Sequence, residues 1–271
     1  MGFLKNKKLI RIATILTAVV IVIFIAIVPL TRGIMAAFSV KKGDFNSMVA
    51  NANLTSVNFL GNAIKKPIIR GTLKDIQVGS TIVFGSYDQD NNLENGAEEI
   101  EWIVLDKDKN KVFVVSKYAL AMKQYTKFNK EANLCWESSF ARKWLNDKFL
   151  NEAFNEKERN NIAETLVKNN PNPLYGTNCG DDTYDRIFLL SIEEVETYME
   201  NNEDRICKAT ETAKQQGSTV YKGEYASWLL RTMGRSKIYV TNVHGNGTIL
   251  KHGTPPVDNG YSIRPAMWIE I

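Results

Sequence analysis

Apolar residues along the chain form one long uninterrupted run near its start and many short alternating segments after residue 73. Residues 12–30 form a run of nineteen residues without a charged side chain. A helix of that length, at about 1.5 Å per residue, nearly spans a hydrocarbon core of about 30 Å. Four cationic side chains precede the run: Lys5, Lys7, Lys8 and Arg11. Because cationic flanks stay inside, the pattern predicts a cytoplasmic tail (1–11), a transmembrane signal anchor (12–31) and an extracellular remainder.

A cleaved signal peptide is the alternative interpretation of the same segment. Its apolar region is typically about 7–15 residues long and ends at a small-x-small cleavage site. The run here is longer, and the small pair Ala36-Ala37 follows Ile34 and Met35. A retained anchor is therefore favoured, which predicts a single-pass plasma membrane protein with its N-terminus in the cytoplasm. Residues 32–72 are predicted to form a spacer or stalk, with a short amphipathic helix within 44–64.

The pattern changes to short strands and helices in residues 73–271. Residues 100–105 and 111–116 flank a polar turn and predict a β-hairpin. An amphipathic helix is predicted over 138–150, and Asn155 with Glu158 and Ser191 with Glu194 predict capping boxes that open two more helices. Further strands are predicted at 81–84, 187–190, 225–230, 238–243, 248–250 and 261–271. Strands, then helices, then strands predict an α+β domain whose first and last strands share one sheet.

The net charge of +4 comes from the membrane-proximal end of the chain. Residues 1–37 hold five cations and no acid; removing those five from the 34 cations leaves 29 against 30 acidic side chains. The extracellular part therefore has no basic excess, which disfavours nucleic acid binding because phosphate neutralisation supplies most of that affinity. Cys135, Cys179 and Cys207 are widely spaced, and the sequence does not choose between one disulfide of any pairing and three unpaired thiols.

Several phrases in residues 73–271 resemble a widespread uncharacterised domain family of Gram-positive bacteria. They occur in the family's order and lie at residues 82–87, 100–106, 116–120, 144–146, 188–191, 228–231 and 264–269. The closing strand, Arg264-Pro265-Ala266-Met267-Trp268-Ile269, also resembles the last core strand of C-type-lectin-like domains, which include formylglycine-generating oxidases. The resemblance implies one C-type-lectin-like mixed α/β domain that binds ligands on loops between its late strands. The chain departs from the family at Ser227, where a tryptophan is usual, and at Thr232-Met233, where Ser-Pro is usual.

The late strands and their loops carry the candidate ligand-binding residues. A tryptophan face can stack on a sugar, and arginine and asparagine can hold hydroxyl groups. This predicts a binding site formed by Trp228, Arg231, Asn242, His244 and Asn246, with Arg264 beneath them. The competing interpretation, which is favoured for the two arginines, buries each arginine partly and pairs it with a carboxylate. Trp136, just before a helix, is predicted to be an exposed platform.

Two acidic segments are weak candidates for metal binding. Asp88, Asp90 and Asn92 alternate, and Glu99 occupies the twelfth position of an EF-hand-like loop, but Leu93 stands where that loop needs glycine. Asp181, Asp182 and Asp185 follow Asn178 in a second loop. In both segments an ordinary solvated loop is favoured. In the first, the Asp and Asn side chains would bond to their own backbone, and in the second, Asp182 or Asp185 would pair with Arg186. No cofactor is predicted, and calcium is the one ion that these oxygen-rich segments suggest.

The sequence leaves three functional hypotheses, of which a binding module for a glycan or an envelope protein is favoured. An enzyme is the alternative, either a degenerate formylglycine-generating-enzyme-like oxidase or a hydrolase using Asp181, Asp182 or His244. The chain has no Gly-x-Ser-x-Gly elbow, and Cys207 has no second cysteine in the late strands. A purely structural envelope protein is the third hypothesis.

Overall fold

A computed structural model of the chain describes residues 76–127, 134–256 and 260–271. The predicted tail, anchor (12–31) and spacer (32–72), including the helix within 44–64, lie outside these residues. Within the described ranges, every helix is too short or too polar to cross a bilayer.

A four-stranded antiparallel sheet joins early and late parts of the described chain. Its strands, in spatial order, are β1 (Thr81–Tyr87), β2 (Glu98–Asp108), β3 (Lys111–Ser116) and β13 (Ala266–Glu270). The predicted hairpin is confirmed as β2–β3, with a longer first strand, the second strand at its predicted bounds and a two-residue turn in which Lys109 has a φ of 48°. The predicted shared sheet is also confirmed, with β1 and β13 at its opposite edges.

A five-stranded sheet is formed mainly by the last third of the chain. Its spatial order is β11 (Ile249–Thr254), β10 (Val240–Val243), β9 (Trp228–Met233), β12 (Ser262–Ile263) and β4 (Ala121–Met122). Strand β12 runs parallel to β9, and the other neighbours are antiparallel. Two small hairpins pair β5 (Thr165–Val167) with β6 (Thr183–Asp185), and β7 (Val220–Tyr221) with β8 (Tyr225–Ala226).

The helical segments begin where the predicted caps stand. The helix predicted over 138–150 consists of α1 (Phe140–Trp144), a π-helical turn (Leu145–Phe149) and α2 (Leu150–Ala153). Both predicted capping boxes are present, at Asn155/Glu158 and at Ser191/Glu194. They open α3 (Glu156–Asn161) and α4 (Ile192–Tyr198), and the remaining short helices are α5 (Asn202–Arg205) and α6 (Glu211–Gln215).

The prediction of a strand at residues 187–190 is wrong. All four residues are buried, but the segment makes a single bridge, between Phe188 and Ala266. The backbone amide of Arg231 also donates to the Leu190 carbonyl (2.9 Å). The apolar run therefore reflects burial at the edge of β13 rather than membership of a ladder, which periodicity alone cannot distinguish.

One hydrophobic core joins both sheets and the helices. The rings of Phe84 and Phe154 lie 5.4 Å apart in it, and Phe154 meets Phe149 edge to face at 5.9 Å. Gly85 makes this approach possible, because its φ is +72° and an added Cβ would lie 2.4 Å from Phe154 Cε1. The fold is therefore mixed α+β and mainly β, as predicted at that level.

Candidate functional site

Four of the six residues predicted to bind a ligand lie inside the molecule. Trp228, Arg231, Asn242 and Arg264 are each at most 2 % exposed. The Trp228 indole donates to the Arg205 carbonyl (3.1 Å), and the Arg264 guanidinium lies over the Trp228 ring at 5.0 Å. A guanidinium covers the Trp228 ring face, and Arg231 and Asn242 are buried, so the predicted contact role of these three residues is corrected to a structural one. Arg264 was predicted to lie beneath the contacts and is buried.

Buried Arg231 forms an ion pair with Glu194, a partly exposed residue that completes the capping box of α4. Both guanidinium NH groups contact the carboxylate, Nη2 at 2.8 Å from Oε1. The same guanidinium donates to the carbonyls of Leu189 (2.8 Å) and Lys168 (2.9 Å). The interpretation of Arg231 as one half of a structural pair is confirmed.

Arg264 is held without a carboxylate within the described chain, contrary to the expected pairing. Its guanidinium donates to the carbonyls of Ser116 (2.9 Å) and Arg205 (3.3 Å). The Trp228 ring supplies the remaining compensation through a cation–π contact. Carbonyl oxygens and one aromatic face therefore replace the counter-charge that a buried cation normally requires.

His244 and Asn246, the other two predicted residues, lie together at the surface. The His244 Nδ1 and Asn246 Oδ1 atoms are 2.9 Å apart, and the His244 ring meets the Tyr221 ring edge to face at 5.5 Å. Tyr221 is 38 % exposed, and the Lys222 ammonium lies 5.3 Å from its ring centroid. We call these four residues the His244 surface.

Two glycines fix the backbone of the His244 surface. A Cβ at Gly245 would lie 2.5 Å from the Tyr225 carbonyl oxygen and 2.6 Å from Tyr221 Cβ. Gly247 has a φ of +86°, and its Cβ would lie 2.0 Å from the Asn202 carbonyl oxygen. The glycine-rich turn predicted from the sequence is therefore a close-packed one that holds His244 and Asn246 in place.

Sequence reasoning missed Tyr221 and Lys222. They belong to the β7–β8 hairpin, which packs its Tyr221 against a turn more than twenty residues further along the chain. The Tyr-Lys-Gly sequence is a hairpin signal at most, and no local pattern connects it to His244.

Asp185 is the centre of a buried hydrogen-bond network. Its carboxylate accepts from Trp136 Nε1 (2.9 Å), Thr183 Oγ1 (2.7 Å) and Arg142 Nε (2.6 Å), and its side chain is 1 % exposed. These donors occupy the oxygens that a metal ion would need, so the candidate role of Asp185 in metal binding is corrected. The predicted exposure of Trp136 is also wrong, since the ring is fully buried.

The other acidic residues of that loop are exposed. Asp182 pairs with Lys168 (2.5 Å) and accepts from the Asn169 amide (3.0 Å), which lowers the pKa of its carboxyl group. Asp181 contributes its backbone carbonyl to Asn169 Nδ2 (2.7 Å). The predicted partner Arg186 instead donates to the Arg159 carbonyl (2.9 Å). The solvated-loop interpretation therefore fits, with a different cation from the one expected.

Asp88, Asp90 and Glu98 are the described carboxylates that could hold a hard cation. One ligand atom from each lies within 4.8 Å of those from the other two, and Asp88 Oδ1 is buried without a hydrogen-bond partner in the described chain. Glu98 takes the place expected of Glu99, while the Asn92 side chain accepts from the Glu94 amide (3.1 Å). Glu98 and Asp90 mainly accept from this loop's own amides, as a structural loop would.

Removing one charge from this acidic group tests its role. Asp88→Asn is expected to raise the free energy of unfolding by about 1 kcal/mol in EDTA, because it removes repulsion between nearby carboxylates. Chemical denaturation with EDTA and with added calcium chloride measures the change. A variant less stable than the parent chain only in calcium would instead assign the group to a bound ion.

Neither histidine of the described residues hydrogen-bonds a serine, threonine or cysteine side chain; His244 contacts Asn246 and Tyr221. Burial raises the pKa of the Cys179 and Cys207 thiols, which disfavours the reactive thiolate.

Comparison with known proteins identifies a family but no characterised relative. Residues 109–271 match the family model described as a domain of unknown function, DUF6273. Searches of curated proteins and of solved structures found no match. The expectation of an uncharacterised domain family is therefore confirmed.

Proposed function

The chain belongs to the DUF6273 family of domains of unknown function, and we propose that it is a membrane-anchored, extracytoplasmic binding module of a Gram-positive envelope. In this proposal residues 12–31 hold the chain in the plasma membrane, residues 32–72 act as a stalk, and the domain is a C-type-lectin-like module that binds a glycan. The proposal includes no catalytic step and no cofactor.

The His244 surface is the observation that carries this proposal. An exposed aromatic ring, an imidazole, an amide and an ammonium group lie side by side on a backbone that close packing holds rigid. Sugar-binding sites combine an aromatic platform with amide and imidazole groups that hydrogen-bond hydroxyls. The Lys222 charge favours a sugar bearing a carboxylate or phosphate.

The interior supports the proposal by providing a rigid scaffold. Arg231 and Asp185 make structural contacts there: Glu194 holds Arg231, and Asp185 holds Trp136 and Arg142. A binding module needs such a rigid scaffold beneath a surface turn, because preorganisation lowers the entropic cost of holding a ligand.

Glycan binding can be tested on the full-length chain purified in mild detergent. We expect binding to a panel of immobilised oligosaccharides that includes acidic sugars and wall polysaccharide. Tyr221→Ala and Asn246→Ala should each weaken binding about fivefold, since one stacked ring or hydrogen bond contributes about 1 kcal/mol. Tyr184→Ala is the matched control, because Tyr184 is also an exposed tyrosine (65 %) but lies on β6.

Two results would contradict the glycan proposal. One is the absence of binding to every member of the panel, which would favour the purely structural interpretation. The other is equal weakening by Tyr221→Ala and Tyr184→Ala, which would place binding elsewhere.

The membrane location has its own test. The intact chain is expected in the membrane fraction, and protease added to cells stripped of their wall should degrade its C-terminal domain. A freely soluble intact chain, or a protected C-terminus, would overturn the proposed topology.

A further inference from the structure

Cys135 packs against Gly180, the residue that directly follows Cys179. A Cβ added to Gly180 would lie 2.7 Å from Cys135 Cβ and 2.8 Å from Cys135 Sγ. With carbon–carbon bonds of about 1.5 Å, the Gly180 and Cys135 Cα atoms lie within about 6 Å of each other. Cys179 is the residue before Gly180, so its Cα is only about 3.8 Å further along the backbone. The missing side chain of Gly180 is what lets Cys135 approach.

A shared neighbour places both thiols in the same part of the core. Tyr125 is fully buried, and burial raises the pKa of its hydroxyl well above the usual range, with Cys179 and then Cys135 adding to the rise. Cys135 likewise adds to the burial-driven rise in the pKa of Cys179. Each thiol therefore lies within electrostatic reach of the Tyr125 hydroxyl and of the other thiol.

Cys207 is far from this group. Its thiol faces the carbonyls of Lys117 (3.4 Å) and Lys208 (3.5 Å), and its own carbonyl accepts from the Ala226 amide (2.7 Å) just before β9. Cys179 Sγ instead accepts from the Met233 amide (3.3 Å) at the other end of β9. At about 3.3 Å per residue, the strand separates these two contacts by about 20 Å.

We propose that Cys135 and Cys179 are a disulfide-forming pair and that Cys207 is a permanently reduced thiol. All three are free in this structure, so the bond forms by oxidation of the folded chain. By the bond geometry above, the Cys135 and Cys179 Cα atoms lie at most about 9.5 Å apart. Loop movements of at most a few Å bring them into the separation of about 4.4–6.8 Å that a disulfide requires.

Thiol–disulfide exchange with a small-molecule disulfide supplies the oxidation. The Cys135 thiolate, the more exposed of the two (8 % against 1 %), attacks one sulfur of that molecule and expels one thiolate, which leaves a mixed disulfide. Cys179 then loses its proton, a step that its raised pKa slows near neutral pH, and the thiolate attacks Cys135 Sγ, forming the intramolecular bond and expelling the second thiolate. The two cysteine protons end on the two released small thiols.

The bond would tie the segment before α1 to the loop before β6. It closes a ring from residue 135 to residue 179, which removes conformational freedom from the unfolded chain. For a domain of this size the oxidised chain is expected to melt about 5–15 °C higher than the reduced one.

The experiment uses the full-length chain treated with glutathione disulfide, followed by alkylation in denaturant and peptide mapping. We expect a loss of about 2 Da, one cross-linked peptide containing Cys135 and Cys179, and alkylated Cys207. Because this peptide map is made on the parent chain, the result does not depend on whether any variant folds. Cys207→Ser should keep the cross-link and the rise in Tm, whereas Cys135→Ser and Cys179→Ser should abolish both.

The proposal is overturned by a cross-link that includes Cys207, or by glutathione adducts on Cys135 that never close to Cys179. It is also overturned by a chain that remains fully alkylatable after oxidation. Its physiological relevance rests on the proposed extracytoplasmic location, since exported proteins meet an oxidising environment. Because the oxidation is done on purified protein, its failure is distinguishable from failure of the membrane or glycan proposals.

Discussion

Glu194→Gln is expected to lower the free energy of unfolding by about 3 kcal/mol, because it leaves the Arg231 guanidinium charged and buried without its counter-ion. The glutamine amide would also place N–H donors against the guanidinium donors that now contact both carboxylate oxygens. The carbonyls of Leu189 and Lys168 would remain as neutral partners of Arg231. Its Nε atom is already buried without a hydrogen-bond partner in the described chain. Urea denaturation followed by circular dichroism measures the loss.

The chain offers a matched control for this prediction at its other capping box. Glu158 accepts from the Asn155 amide (2.8 Å) at the start of α3, as Glu194 does from Ser191 (2.9 Å) at the start of α4. Glu158→Gln therefore changes a cap without removing the counter-ion of a buried arginine. It is expected to lower the free energy of unfolding by about 0.5 kcal/mol. Equal losses for the two variants would mean that Glu194 matters only as a cap.

Asp185→Asn is expected to destabilise the chain by about 3 kcal/mol through a mismatch of hydrogen-bond donors. Trp136, Thr183 and Arg142 all donate to this carboxylate, one or more to each oxygen. An asparagine presents one acceptor and one donor group, so its NH₂ must face a donor inside the core. Denaturant unfolding, followed by tryptophan fluorescence, reports the change in stability.

Asp182→Asn is the control for Asp185, since it removes an exposed carboxylate of the same loop. Its ion pair with Lys168 lies in solvent, and we expect no measurable change in Tm. Both experiments are repeated with EDTA and with calcium chloride. A loss for Asp185→Asn that occurs only with calcium would restore the metal-binding interpretation.

Local signals predicted local structure well. The β2–β3 hairpin, the two capping boxes and the helix beginning near residue 140 depend on contacts between residues a few positions apart. The strand prediction for residues 187–190 failed because a buried connecting segment and a core strand can have the same apolar run. Which of the two it becomes depends on β13, more than seventy residues later.

The site was less predictable because its contacts join distant parts of the chain. The sequence predicted that Arg231 pairs with a carboxylate but did not identify which one. The partner is Glu194, in the capping box of α4, 37 residues earlier in the chain. Trp136 was expected at the surface, but its ring is buried and its indole N–H donates to Asp185, 49 residues later. His244 and Asn246 were identified together because a glycine-rich turn is a local signal, whereas Tyr221 reaches them through tertiary packing alone.

The pairing of β3 with β13 bears on how the protein is made. Lys111 pairs with Glu270 and Val115 with Ala266, so the second neighbour of β3 is synthesised more than 150 residues after β3 itself. Contacts this distant form slowly and late. A nascent chain would therefore leave the ribosome with a half-paired central strand, and one exported as it is synthesised would cross the membrane before its sheet could close.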